Sequence, residues 1–330
     1  MTNPIIHMDA SRMAELIAQR ELSPVEVMQA HLDRIAEVDS KVNAIVALAD
    51  GALEAAERAE AAVRSGEQVG PLHGVPFTAK DALDAAGMLS QRGSPIFKGR
   101  VAKTDATVVA RLKAAGGILL AKTNTPEFSY SVETDNLLSG RTNNPWNLDY
   151  TPGGSSGGES AAIAAGMSPL GLGSDVAISL RGPAAHTGVV GFKATHGRVP
   201  ATGHWPRVPR RFWHVGPMAR SVRDVALAYS LLAGPDGADG FSTSGLDLDG
   251  GVSKSNRPLR VGWLAAPGFF GPTDPEVVAT VKAAAEALSD AGCKVEEVRL
   301  PVLEETDGVS ILWKLQQMET RPAFEKITAG

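Results

Sequence analysis

The stretch "PGGSSGGESAAIAAGM", Pro152 to Met167, crowds glycine and serine immediately ahead of an alanine-rich run. Three readings compete for it. A flexible linker would join separate modules and run longer, and it would not sit between a turn-rich segment and "ESAAIAAG", a good helix former. A phosphate cradle would use the N–H groups that glycines expose at a helix N-terminus. However, the P-loop pattern requires a Lys-Ser/Thr pair where Glu159-Ser160 stands, and the dinucleotide fingerprint needs a strand where "NNPWNLDYTP" is turn-rich. A glutamate at the mouth would also repel phosphate. The third reading is the setting of a reactive serine. Gly153-Gly154-Ser155-Ser156-Gly157 satisfies the G-x-S-x-G pattern of hydrolase nucleophile elbows, but the strand that such an elbow follows is missing here.

Outward from this stretch the texture is that of alternating elements. Ser23-Pro24-Val25-Glu26 is a capping box with proline at the first helical position. The following "VMQAHLDRIAEVDSKVNAIVALA" carries apolar residues at three- and four-residue steps and reads as helix, and a second helix runs from about Ala52 to Arg64. "GVPFTAK" (Gly74 to Lys80), "GGILLAKT" (Gly116 to Thr123), "SPLGLGSD" and "GVVGFKAT" read as strands, with "DATVVARLKAAG" and "SVRDVALAYSLLAG" as helices. "LRVGWL", a capped helix from Thr273, and "CKVEEVRL" form a strand–helix–strand unit. Such alternation predicts an α/β protein with a mostly parallel or mixed sheet. We read one domain: a helical part over 1–70, a core over 71–233, a Gly/Ser/Asp-rich surface loop over 234–258, and a strand–helix–strand continuation over 259–330.

Composition narrows the function classes. With 43% hydrophobic and 21% charged residues, wholesale disorder is not expected. A net charge of −5 without any Lys/Arg block argues against a nucleic-acid surface. Cys293 is the only cysteine, which excludes an internal disulfide and a cysteine-based zinc site. The N-terminus lacks a basic region followed by an apolar stretch, and no apolar run approaches a membrane span. The expectation is a soluble, cytoplasmic protein that uses neither membrane nor nucleic acid.

A serine can be activated by a lysine. Free lysine has a pKa near ~10.4, so lowering it by about three units takes roughly 4 kcal/mol, which burial can supply. Lys80 ends a buried strand, where a lysine is costly unless paired or functional; otherwise it snorkels out beside Asp81. Downstream, "GLGSDVAISLRGPAAHTG" places Ser179 among small and apolar residues. There the N–H groups from Val176 to Ser179 could converge on an oxyanion, or Ser179 could simply be a buried, hydrogen-bonded serine.

Together, "GVPFTAKDALD", "PGGSSGGESAAIAAGMSPLGLGSDVAISLRGPAAHTGVVGFKAT" and "GRVPATG…GPMARSVRDVALAYSLLAG" closely resemble, in order and spacing, the amidase signature family. The resemblance implies a mixed β-sheet flanked by helices on both faces and a Ser–cis-Ser–Lys triad. Lys80 matches the family's lysine, Ser155 the serine in the cis peptide after Gly154, and Ser179 the nucleophile. It further implies an oxyanion hole at Val176, Ala177, Ile178 and Ser179. Supporting places fall to Gly154, Ser156, Asp175 and Arg181, and a place lining the substrate cavity to Ser129. No metal or cofactor is implied. The expected partner is a small-molecule amide or carbamate, and a homo-oligomer is left open.

The chain also departs from the family pattern. Ala177 and Ile178 stand where two glycines are usual, and a β-branched residue resists positive φ and makes the cavity narrower and greasier. "AAHTG" replaces a common Phe-Cys, with His186 expected to pack in the core. "GHWPRVPRRFWHVGPM" offers Trp205, Phe212 and Trp213 as an apolar entrance for aryl or bulky acyl groups. Family members continue beyond the point where this chain stops, so either this is an incomplete chain or the family's C-terminal region is much reduced. The leading expectation is an amide or carbamate hydrolase, resembling amidase-type urethanases. A glutaminase subunit of a tRNA-dependent amidotransferase and an inactive family scaffold are the alternatives.

Overall fold

The capping box forms as read. Helix α1 (Ala10–Ala18) is followed by α2 (Pro24–Val42), whose N-terminal N–H groups are met by the Ser23 hydroxyl while Glu26 reaches back to the Ser23 backbone. This is a computed structural model in which residues 3–243, 258–265 and 272–328 are described. The helix ends earlier than its periodicity predicts. Asn43 turns into the left-handed region at φ 55°, and Ile45–Leu48 then form an extended strand, β1. Asn tolerates that conformation, and the β-branched pair Ile45-Val46 suits an extended edge.

Chain order continues through α3 (Ala52–Ser65), β2 (Pro76–Lys80), α4 (Thr107–Ala114), β3 (Ile118–Thr123), α5 (Gly157–Ala164), β4 (Leu170–Asp175) and α6 (Arg181–Thr187). Then come β5 (Val190–Gly191), β6 (His214–Ala219) and α7 (Val222–Leu232). The strand expected over "GVVGFKAT" is therefore two residues long. Strand β6 is not anticipated by the sequence, because Pro217 and the aromatic, basic residues before it read as loop.

The strands form one mixed sheet in the order β1-β3-β2-β4-β6-β5. Strand β2 runs parallel to both β3 and β4, while β1, β5 and β6 join antiparallel. Strands β2, β3 and β4 are buried along their whole length, as central strands covered on both faces must be. Alternate residues feed two cores. Phe77, Ala79, Leu119 and Leu172 pack with Met13 and Ile17 of α1, Leu112 of α4 and Leu232 of α7. Ile118 and Leu120 pack with Met28 of α2, Ala56 of α3 and Ala161 of α5. Each fully buried Leu, Ile or Phe contributes about 1.5–3 kcal/mol, so both helical layers are held firmly to the sheet. This is the α/β architecture with helices on both faces.

Two units divide the chain, Met1–Leu248 and Asp249–Gly330. In the second, β7 (Arg260–Trp263) pairs parallel with β8 (Lys294–Glu297) across α8 (Pro275–Asp290), the strand–helix–strand unit read from sequence. Helices α9 (Pro301–Glu305) and α10 (Gly308–Thr328) follow. Of the loop expected over 234–258, residues 244–257 lie outside the described residues.

Candidate active site

Strand β2 delivers Lys80 at its C-terminal end, completely buried rather than snorkelling outward. Its Nζ lies 2.6 Å from Ser155 Oγ and 3.1 Å from Ser174 Oγ, and donates to both. Burial pushes the lysine pKa down from 10.5 to about 7, against the opposing pull of Asp175 and Glu159. Nothing in the strand's own sequence announces Ser174. It is contributed by β4, the neighbour of β2 in the sheet.

The glycine–serine stretch is a buried turn leading into α5. Its Gly154–Ser155 peptide is cis. Gly154 has to be glycine, because a Cβ there would come within 2.7 Å of Glu133 N and 2.8 Å of Ser131 O. Ser156 stitches the turn to β4: its Oγ donates to Ser174 O and accepts from Ser174 N, both at 3.2 Å. The main chain of Ser156 also donates to Ser179 O at 3.2 Å, which brings Ser179 against the turn. Ser155 O in turn accepts from Thr125 Oγ1 at 3.0 Å, and that hydroxyl lies 3.3 Å from Ser129 Oγ. Ser129 is buried, with φ 59°, and thus stands beside the same turn.

Ser179 follows β4 and is 4% exposed. The loop carrying it is braced by Asp175, which is completely buried. Asp175 accepts from Leu180 N at 3.0 Å and from Arg181 Nε and a terminal guanidinium nitrogen at 3.1 Å. Arg181 also donates to Ala177 O at 2.5 Å. Ala177 and Ile178 keep ordinary backbone, since the described non-glycine residues with positive φ are Arg20, Asn43, Arg92, Phe128 and Ser129. The N–H groups of Val176, Ala177, Ile178 and Ser179 find no hydrogen-bond acceptor among the described residues. Ile178 is 44% exposed, an apolar side chain next to the candidate nucleophile.

The aromatic residues separate. Trp205 joins Phe97 and Phe128, with centroids 5.1 and 4.9 Å away, and the Arg92 guanidinium lies 4.8 Å from its ring. Phe128 is the residue before Ser129, so this cluster adjoins the serine turn. Trp213 is 1% exposed and tilts against the buried His204 at 4.6 Å, in the wall of a cavity of about 430 Å³ shared with Arg210 and Phe241. Its indole nitrogen donates to Val208 O, so the ring is fastened into the fold. Phe212 is half-buried, and its carbonyl lies 2.7 Å from His214 Nδ1. His186, expected in the core, is exposed near the end of α6.

With this arrangement in view, likeness to known proteins becomes informative. The family profile described as Amidase matches residues 26–321. The chain belongs to the amidase signature family. Among its relatives, an acylamidase of Rhodococcus erythropolis is 42% identical over 308 residues, covering 90% of this chain and 63% of that protein. A glutamyl-tRNA(Gln) amidotransferase subunit of Acidothermus cellulolyticus is 41% identical over 304 residues, covering 91% of this chain and 60% of that one. The crystal structure of a bacterial aryl acylamidase of the amidase signature enzymes superposes with a TM-score of 0.82 at 33% identity, covering 91% of this chain and 62% of that one. The chain thus spans roughly three fifths of the length of these relatives. No helix among the described residues is long and apolar enough to cross a membrane.

Proposed function

We propose that this chain hydrolyses amide or carbamate C–N bonds through an acyl-enzyme on Ser179. The observation that carries the reading is the buried contact between Lys80 Nζ and Ser155 Oγ at 2.6 Å, in a turn whose next residue is hydrogen-bonded to Ser179. Neutral Lys80 takes a proton from Ser155 Oγ, which takes one from Ser179 Oγ. Ser179 Oγ attacks the carbonyl carbon, and the N–H groups of Val176 to Ser179, which meet no acceptor among the described residues, hold the oxyanion. The relay returns a proton to the leaving nitrogen, because an amide anion leaves poorly. Water then cleaves the ester along the same route in reverse, releasing the acid and restoring Ser179.

Bulky or aryl amides and urethanes are the favoured substrates. This rests on the exposed Ile178 side chain, on the Phe97–Phe128–Trp205 cluster beside Ser129, and on likeness to an aryl acylamidase. A second reading, a glutamine-hydrolysing component of an amidotransferase, draws on the 41% identity to such a protein. Purified protein is assayed on acetamide, glutamine, a p-nitroanilide and an aryl carbamate, and labelled with a fluorophosphonate. Turnover of the aryl substrates with the adduct on Ser179, lost in Ser179→Ala and Lys80→Ala, is expected. Turnover of glutamine alone would favour the second reading. Activity surviving in both variants would overturn the mechanism, and silence across substrates and probe would point to an inactive scaffold.

A further inference from the structure

We propose that Glu159 is a positioning residue whose buried carboxylate, seated on the sheet by two threonine hydroxyls, sets the pH at which Lys80 becomes a free base. The inference rests on the reading of Lys80 given above and extends it to a residue outside the triad.

Glu159 lies in the first turn of α5 and is completely buried. Three neighbouring strands build its seat. Thr78 of β2 donates to Oε1, and Thr123 of β3 donates to Oε2 at 2.8 Å. On β4 the facing position is Gly171, where a Cβ would fall 1.8 Å from Oε1. The strand is left bare at the one place where the carboxyl lies on it. Asp175 is met by Arg181 at 3.1 Å, whereas Glu159 makes no ion pair among the described residues. A buried carboxyl without a paired cation is costly, and such groups cluster where they tune a neighbour.

The neighbour is Lys80. Thr78, which holds the carboxyl, precedes it by two residues on the same face of β2, about 7 Å along the strand. The other titratable groups in range are Lys122 from β3, Asp175 at the end of β4 and the buried His204, which burial and Lys80 push down to about 3 and so keep neutral; α5 brings no further charge. Lys122 is occupied elsewhere, donating to Leu83 O at 2.5 Å and Ser90 Oγ at 3.2 Å, with Asp81 at 3.6 Å. Burial raises the Glu159 pKa to about 7, against the threonine hydroxyls, so both groups titrate in one pH region. An ionised Glu159 favours protonated Lys80 and holds the acid limb of the rate profile up. Without the carboxylate, Lys80 gives up its proton at lower pH.

The test is the pH profile of kcat/KM on an amide substrate for wild type, Glu159→Gln and Thr123→Val. In Glu159→Gln the acid limb moves to lower pH by about one unit or more, with KM little changed. Thr123→Val keeps the carboxyl but removes a donor that favours its ionised form, so its limb moves the same way by less. It carries the test if the glutamine variant does not fold. A profile that stays in place or moves upward, with only kcat or stability reduced, would overturn the inference and leave Glu159 a packing residue. Lys80→Ala separates the two readings. Activity surviving there brings down the mechanism and this inference together, whereas loss of activity there with an unmoved Glu159→Gln profile brings down the inference alone.

Discussion

Replacing Lys80 by methionine keeps the shape of the side chain and removes its charge, and its effect on stability should reverse sign with pH. A lysine that ionises near 10.5 when unfolded and at about 7 when folded opposes folding by about 5 kcal/mol wherever both states are protonated, below pH 7. Between those values the unfolded chain holds more protons than the folded one. Wild-type stability therefore rises with pH, by about 1.4 kcal/mol per unit, until the penalty vanishes near 10.5. From about pH 7 to about pH 9.5 the gain is about 3 kcal/mol. Against this stand the two hydrogen bonds to Ser155 and Ser174, together worth about 3 kcal/mol and independent of pH over this range. Lys80→Met should thus be about 1 kcal/mol more stable than wild type near pH 7 and about 2 kcal/mol less stable near pH 9.5. Urea unfolding at several pH values reads the crossing directly. In parallel, hydrolysis should fall by ~10²-fold or more, as expected for a lost general base. Two unfolding midpoints offset by the same amount at every pH would mean that Lys80 titrates like an ordinary lysine, and the neutral base would be lost from the mechanism.

Two further substitutions probe the loop before Ser179. Ile178→Gly removes the exposed apolar side chain, so kcat/KM for an aryl amide should fall about tenfold, from about 1.5 kcal/mol of lost contact, while acetamide turnover holds. Equal losses on both substrates would show that Ile178 acts on the loop backbone instead. Asp175→Asn weakens the brace to Leu180 N and Arg181, so kcat/KM should drop by more than about tenfold and stability by about 1–3 kcal/mol. Because Asp175 also favours protonated Lys80, the acid limb in this variant should move to lower pH. Wild-type kcat with an unmoved limb would show that the brace is dispensable.

Much of the architecture is legible from local patterns. The Ser23 capping box, the glycine-bounded apolar runs of β2 and β3, and the strand–helix–strand unit at β7 to β8 each follow from short-range backbone and side-chain preferences. Two strands are not. Strand β1 continues a helical periodicity and becomes extended only because Asn43 turns the chain and β3 offers a partner. Strand β6 contains Pro217, an unfavourable residue by local rules, and is held by pairing with β4 and β5. Trp213 reads as part of an entrance, yet its contact with His204 lies beyond what loop composition can signal.

For the candidate site, residue types and spacing within "GVPFTAK", "GGSSGGE" and "GSDVAIS" are enough to single out Lys80, Ser155 and Ser179 through family resemblance. Only the tertiary structure reveals what surrounds them. Lys80 and Ser155 are 75 residues apart and meet because the sheet order sets β4 beside β2 and packs α5 across both. Ser174 and Glu159 acquire their parts in the same way, one from a neighbouring strand and one from a helix lying on a bare glycine. Periodicity and caps are written residue by residue along the chain. The burial that lowers a lysine's pKa is a property of all its neighbours at once, and it exists only after the layers have closed over it.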